Sequence, residues 1–297
     1  MGVMIKDFSS WMEYEGASEG SGRSEKIWLV DPNNSEVGLF KFRKSEYTTE
    51  HLSEKIASEI AKLINIECMK VDLGSYNSRI GCISYKINND NENLREGIQF
   101  INKYYPSYDP NLLYDNEQME YYSLDMILHS LKEFDFQKEF LKIPIFDFLI
   151  GNTDRHQNNW AILQKGKSYT LCPLYDNASS LCCYIQESKI DGYLGNDKVR
   201  FLSLVDTKST SRIRINKNIK KEPTHLEVLR FLRDNYYNDV IDIVQTINYH
   251  INENSLDEIL EQYTADIVSK RRKILIKKFL IEKVNLMAHQ FNLRKEE

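Results

Sequence analysis

The chain has 297 residues, 41% of them hydrophobic and 28% charged, with six prolines and a net charge of −5 from 39 Lys plus Arg against 44 Asp plus Glu. This composition excludes a disordered or fibrous chain, and the acidic balance argues against binding nucleic acid by bulk charge. No apolar run approaches the ~18 residues of a transmembrane helix, and the N-terminal MGVMIKDFSSW lacks the apolar core of an export signal, so the expectation is a soluble intracellular protein.

In chain order, residues 26–31 and 37–43 are short β-branched and aromatic runs around a Pro-Asn-Asn turn, which reads as a hairpin. Residues 48–65 switch to helical period, with Leu52, Ile56, Ile60, Leu63 and Ile64 at three- and four-residue steps. Further strands fit 69–73 and 80–87. Residues 89–117 are polar and rich in Asn and Tyr. From 118 onward helical periodicity dominates, over 119–133, 136–150, 225–235, 238–251, 255–263 and 264–292, interrupted by a second hairpin at 160–175. Pro144 is expected to kink or split the run 136–150. The fold class is therefore α+β: a small β-rich lobe with one helix over residues 1–88, and a larger helical lobe over 89–297.

The densest polar cluster, residues 151–159, lies between the apolar run IPIFDFLI and the strand WAIL. Asp154 and Asn159 are five apart, the spacing of the Asp-x-x-x-x-Asn loop of phosphotransferases, where the Asp takes the proton of the attacking hydroxyl and the Asn binds Mg²⁺. The hairpin after Asn159 must return Asp176 close to residues 156–159. A carboxylate and an amide oxygen are the hard-oxygen ligands that Mg²⁺ prefers. Lys41 sits mid-strand between Phe40 and Phe42 and so points to the opposite face. Glu54 and Glu59 are both candidate partners on the following helix; being five apart they share a face poorly, so one of them is expected in solvent. The loop 15–26 holds Gly16, Gly20 and Gly22 just before the first hairpin and can bring backbone N–H groups to phosphates.

These residues match a family. Gly-Asn-Thr-Asp-Arg-His-x-x-Asn-Trp at 151–160, with Leu-Tyr-Asp at 174–176, resembles the HipA-like bacterial serine/threonine kinases, including the short CtkA-type members, and phosphatidylinositol kinases share the form of the loop. The resemblance extends through GSGRSEK, the Lys41 strand and the helix 53–66, and favours Glu54 over Glu59. It implies a bilobal protein-kinase-like fold and transfer of the ATP γ-phosphoryl group to Ser or Thr of a protein substrate, with ATP and Mg²⁺ as cofactors. By it Asp154 is the catalytic base, with His156 and Asn159 in the same loop. Lys41, Glu54, Gly20, Ser21, Gly22 and Ser84 surround the nucleotide, and Asn159 and Asp176 hold the metal. It further implies autophosphorylation, with Ser18, Ser21 and Ser24 as candidate positions, a toxin-like role with an antitoxin or regulatory partner, and a bacterial cytoplasmic location with secretion into a host left open. A lipid kinase and a nucleotide-binding pseudokinase are the alternatives.

Two departures matter. Asp176 is followed by Asn177-Ala178, so switching through a Phe-Gly pair is not carried over. The stretch before the Gly-rich loop is too short for HipA's extra N-terminal subdomain, so neither are HipA's antitoxin contacts. Among the remaining signals, the basic run 206–221, with Lys208, Arg212, Arg214, Lys217, Lys220 and Lys221, reads as a solvated loop ahead of a dock for acidic substrate or nucleic acid. The terminal helix is expected to pack Ile274, Leu275, Phe279, Leu280 and Leu286 inward instead of lying on a membrane. The five cysteines (Cys68, Cys82, Cys172, Cys182, Cys183) read as idle thiols.

Overall fold

Alternation along residues 37–42 sends Phe40 and Phe42 to one side of a sheet and Lys41 to the other. The structure, a computed structural model, describes residues 2–15 and 25–293. Strands β1 (Lys6–Asp7), β2 (Met12–Glu13), β3 (Lys26–Val30) and β4 (Val37–Phe42) precede helix α1 (Glu50–Leu63), which is followed by β5 (Val71–Tyr76) and β6 (Arg79–Tyr85). They form a six-stranded sheet in the order β1-β5-β6-β4-β3-β2. Its register sets Lys41 opposite Cys82 and Phe40 opposite Ile83. Phe8, Leu29, Phe40, Ile83 and Tyr85 make a small core on one face. The opposite face lies against α1, whose periodic Leu52, Ile56, Ala57 and Ile60 are buried in a second, much larger core.

The second part begins with β7 (Asn93–Glu96) and α2 (Gly97–Tyr104), then the short strands β8 (Tyr108–Asp109), β9 (Tyr114–Asp115) and β10 (Glu120–Tyr121). Helices α3 (Leu124–Leu131) and α4 (Gln137–Ile150) precede the hairpin β11 (Ala161–Lys165) and β12 (Ser168–Leu171). After α5 (Asp191–Leu194) and α6 (Lys198–Val205) come α7 (His225–His250), α8 (Glu253–Leu260) and α9 (Lys270–Gln290). Helix α4 packs against α7 and α9, and the large core runs without interruption from α1 to α9.

Helix α1 is fastened to the second part along its length. Thr49 N–H donates to the Cys183 carbonyl at 3.0 Å, and Ser53 Oγ to that of Ser180 at 3.0 Å. The buried Arg272 of α9 reaches Thr49 Oγ1 at 3.3 Å, and Tyr263 donates its phenol hydrogen to Glu59. Glu59 also pairs with Lys55 at 3.3 Å, so it is not the solvent residue expected of one of the two glutamates.

Several expectations need correction. Pro144 lies inside one continuous 14-residue helix. That helix is buried on every side from Ile143 to Ile150, and this packing outweighs the ~3 kcal/mol that an interior proline costs. The polar stretch 89–117 contains β7, which joins the hairpin through antiparallel pairing with β11, and the amphipathic α2. The helix expected from 119 starts at Leu124, because Glu120–Tyr121 pairs with β9 and the Ser123 hydroxyl caps the first turn. Ile274 is exposed, whereas Leu275, Phe279 and Leu280 pack inward. Tyr236 (φ −134°) kinks α7 between the two runs read from its periodicity.

Candidate active site

The polar cluster owes its shape to how α4 ends. Gly151, in the left-handed region at φ +66°, closes the helix with its N–H on the Asp147 carbonyl. A Cβ there would stand 2.7 Å from the Phe279 ring. The chain then turns through 152–160 into β11 and returns along β12 to Asp176.

One residue ties these segments together. Arg155, only 1% exposed, pairs bidentately with the equally buried Asp147 at 3.0 and 2.8 Å. It also donates to the carbonyls of Asn159 (2.7 Å) and Tyr175 (2.8 Å) and to Asn177 Oδ1 (2.6 Å). Asn177 N–H in turn donates to Glu54 at 2.9 Å. A single guanidinium thus links α4, the cluster and the segment at Asp176, and through Asn177 the link reaches α1. The Tyr175 hydroxyl adds a bond to the Asn158 carbonyl at 2.8 Å. The chain does return where the hairpin arithmetic expected it.

Lys41 Nζ stands 2.8 Å from Asp176 and 3.4 Å from the buried Glu54. Burial alone would pull the ammonium down, but the two carboxylates outweigh it and hold Lys41 above the usual lysine range. Burial pushes the Glu54 carboxyl up against the pull of Lys41. For Asp176 burial is the largest influence, but Lys41, His156 and Arg155 together overcome it and hold the carboxyl below the usual range. Asp176 also occupies left-handed backbone at φ +54°, which aspartate tolerates better than most residues and which is common at functional positions.

Asp154 is 41% exposed in a cleft of about 560 Å³ lined also by Lys41, Cys82, His156, Asp176 and Arg212. Asn159 Nδ2 donates to the Asp154 carbonyl at 2.7 Å, which fixes the amide and leaves its oxygen as the end available to a cation. His156 Nδ1 accepts from Asn158 N–H at 3.2 Å, and burial draws the imidazole below its usual range. Neutral His156 therefore carries its hydrogen on Nε2. Ser84 is buried on β6, two residues from Cys82 and on the same face, and its hydroxyl has no hydrogen-bond partner among the described residues. Gly20, Ser21 and Gly22, with Ser18 and Ser24, lie outside the described residues. Cys82, like Cys68, Cys172 and Cys182, is pushed up to about 12 by burial, so all four thiols stay protonated near neutrality.

Behind the loop runs a buried chain of polar groups. His225 Nε2 lies 2.9 Å from the Asn152 carbonyl, and its Nδ1 lies 2.8 Å from Ser209 Oγ. Lys283 Nζ donates to that hydroxyl at 3.0 Å. A carbonyl only accepts, so His225 donates from Nε2 and accepts the Ser209 hydrogen at Nδ1. Reading the sequence missed this chain, and it missed the roles of Asp147 and Arg212. For Asp147 there was a signal, a lone acid inside IPIFDFLI; for His225 and Lys283 there was none, since each sits in an ordinary helical pattern.

The HipA-like C-terminal domain model matches residues 18–271. The chain belongs to that family. It is 24% identical over 259 residues to the serine/threonine-protein kinase CtkA of Helicobacter pylori, covering 82% of this chain and 74% of the relative. The crystal structure of the Helicobacter pylori proinflammatory kinase CtkA superposes with a TM-score of 0.80 at 19% identity, over 97% of this chain and 99% of that one. HipA of Shewanella oneidensis, solved with HipB and operator DNA, superposes with a TM-score of 0.61 at 13% identity, over 96% of this chain and 69% of that one. The bilobal α+β kinase fold of this HipA-like chain is thereby shown. No helix among the described residues is long and apolar enough to cross a membrane.

Proposed function

We propose that this HipA-like chain is a serine/threonine protein kinase that transfers the γ-phosphoryl group of ATP to a protein hydroxyl. The observation that carries this reading is the convergence of Asp154, Asp176 and Lys41 on one cleft, with Asn159 bonded to the Asp154 carbonyl beneath it and Glu54 buried behind Lys41. Lys41 is a fixed cation for the nucleotide phosphates. Asp154 accepts the hydrogen of the incoming hydroxyl, a role worth about 10²–10⁴ in rate. His156, neutral and half-buried in the same cleft, offers its Nε2 hydrogen to a phosphate oxygen. The orphaned Ser84 hydroxyl on the inward face of the sheet suits a contact to the nucleotide.

The donor set fits Mg²⁺: Asn159 offers an amide oxygen and Asp176 an ionised carboxylate, both hard oxygens. Bound there, the metal would neutralise charge on the transferring phosphoryl group. Autophosphorylation within residues 16–24, and a toxin-like role opposed by a partner protein, belong to the same reading. The likeness to CtkA and to HipA supports it.

The test is to incubate the protein with γ-labelled ATP and Mg²⁺ beside Asp154→Ala and Asp176→Ala, and to map the label by mass spectrometry. Phosphoserine or phosphothreonine formed by the wild type and by neither variant is expected. Near wild-type transfer by either folded variant would sink the assignment.

A further inference from the structure

Arg212 belongs to the basic run 206–221, which reads from sequence as a solvated loop, yet its guanidinium lies in the cleft. Its Nε stands 3.4 Å from Asp154 Oδ1, and its Nη1 stands 2.8 Å from Glu222 Oε1. The Nη2 edge has no hydrogen-bond partner among the described residues. Glu222 is the tighter anchor, so the group is oriented before any acceptor arrives, and less ordering cost remains at binding. Arg214 donates to the carbonyls of Arg212 (3.3 Å) and Lys220 (3.0 Å), which sets the backbone of Lys220 beside that of Arg212. The side chains of Lys220 and Lys221 are exposed and form no ion pair among the described residues. In a chain of net charge −5 this is a local cationic ridge.

Its place in the cleft decides what it can meet. Arg212 touches the base and makes no hydrogen bond to Lys41, Asn159 or Asp176, the groups on the nucleotide side. An acceptor hydroxyl has to reach Asp154. Consecutive Cα atoms are about 3.8 Å apart, so the residues flanking the acceptor pass within side-chain reach of the guanidinium. A guanidinium whose Nη2 is still open offers a carboxylate a charge-assisted hydrogen bond.

We propose that Arg212 selects the acceptor: a Glu or Asp beside the target Ser or Thr docks on its open Nη2, with Lys220 and Lys221 extending the preference outward. The inference rests on the kinase reading and names its substrate class.

The experiment compares three synthetic peptides whose single Ser is flanked by Glu, Gln or Lys. It measures kcat/KM, the KM for ATP, and peptide binding without ATP by fluorescence anisotropy, for the wild type, Arg212→Gln and Arg212→Glu. The wild type is expected to favour the Glu-flanked peptide by about tenfold, in line with one charge-assisted contact at a half-exposed site. Arg212→Gln levels the three peptides and Arg212→Glu turns the preference toward Lys. Equal handling of the three peptides by wild type and Arg212→Glu overturns the proposal while leaving the kinase reading intact. A raised KM for ATP in Arg212→Gln with peptide discrimination retained overturns it as well, assigning Arg212 to the nucleotide. Arg212-dependent binding of the Glu-flanked peptide without phosphoryl transfer to any acceptor would uphold the recognition and sink the kinase reading.

Discussion

Lys41 and Asp176 are joined by a 2.8 Å ion pair between the β4 strand and the end of the returning hairpin. Glu54, buried, stands behind Lys41 at 3.4 Å, so one cation separates an interior carboxylate from Asp176, which is 40% exposed to the cleft. Lys41→Met is expected to lower stability by about 3 kcal/mol, because it leaves a buried charge unpaired. Adding Glu54→Gln should restore most of that stability without restoring phosphoryl transfer. Urea unfolding and the labelled-ATP assay on both variants separate the two effects, and additive losses would contradict the coupling.

The two aspartates of the cleft are expected to fail differently. Asp154→Asn should bind Mg-ATP as tightly as the wild type while transfer drops by about 10²–10⁴. Asp176→Asn should lose the Mg²⁺ dependence of ATP binding. Titration calorimetry with and without Mg²⁺ reads the difference; equal ATP affinity with Mg²⁺ in all three proteins would remove Asp176 from the metal.

Arg155 and Asp147 bury opposite charges at 1% and 2% exposure. Arg155→Met is expected to cost about 3–5 kcal/mol, since Asp147 is left as an uncompensated interior charge. It also removes the bonds that hold the Asn159 and Tyr175 carbonyls. The double variant with Asp147→Asn should recover part of that loss. Hydrogen exchange should accelerate at 152–160 and 174–177 before it does in α7, and uniform acceleration would argue for global unfolding instead.

Lys283 gives the protein an alkaline signature. Burial, as the main cause, brings its ammonium down to about 7 in the folded state against an ordinary 10.5. Between those values the unfolded chain binds the extra proton, so stability rises with pH, by at most ~1.4 kcal/mol per unit. That contribution is complete above the unfolded value and is lost as pH falls toward 7. His225 adds a second slope below its ordinary 6.5, because burial, and secondarily Lys283, lowers it to about 3. Lys283→Met should abolish the rise above pH 7 and keep the acid slope. Melting temperatures taken from pH 5 to about pH 8.5, below the range in which the unfolded chain's thiols ionise, test both parts.

Much of this was legible in the residues. The period-two pattern around Lys41 sent it to the face opposite Phe40 and Phe42, which α1 covers in the structure, and the hairpin return brought Asp176 back beside the cluster. Local rules reach that far because strand alternation and hairpin geometry are set by neighbours in the chain. They could not reveal that Arg155 would tie α4, the cluster and the segment at Asn177 together, or that His225, Ser209 and Lys283 would meet behind Asn152 through contacts 16 to 74 positions apart. Nor does periodicity register α2 inside a polar stretch, where only Gly97, Phe100 and Ile101 are buried. The opposite error, a break at Pro144, came from applying a local cost where tertiary packing prevailed.

The four attachments of α1, at Thr49, Ser53, Glu59 and again Thr49 through Arg272, have a consequence for control. A helix bonded near both ends to the lobe below it ties the gap between Glu54 and Lys41 to the packing of that lobe. Any displacement of α1 has to break these contacts first.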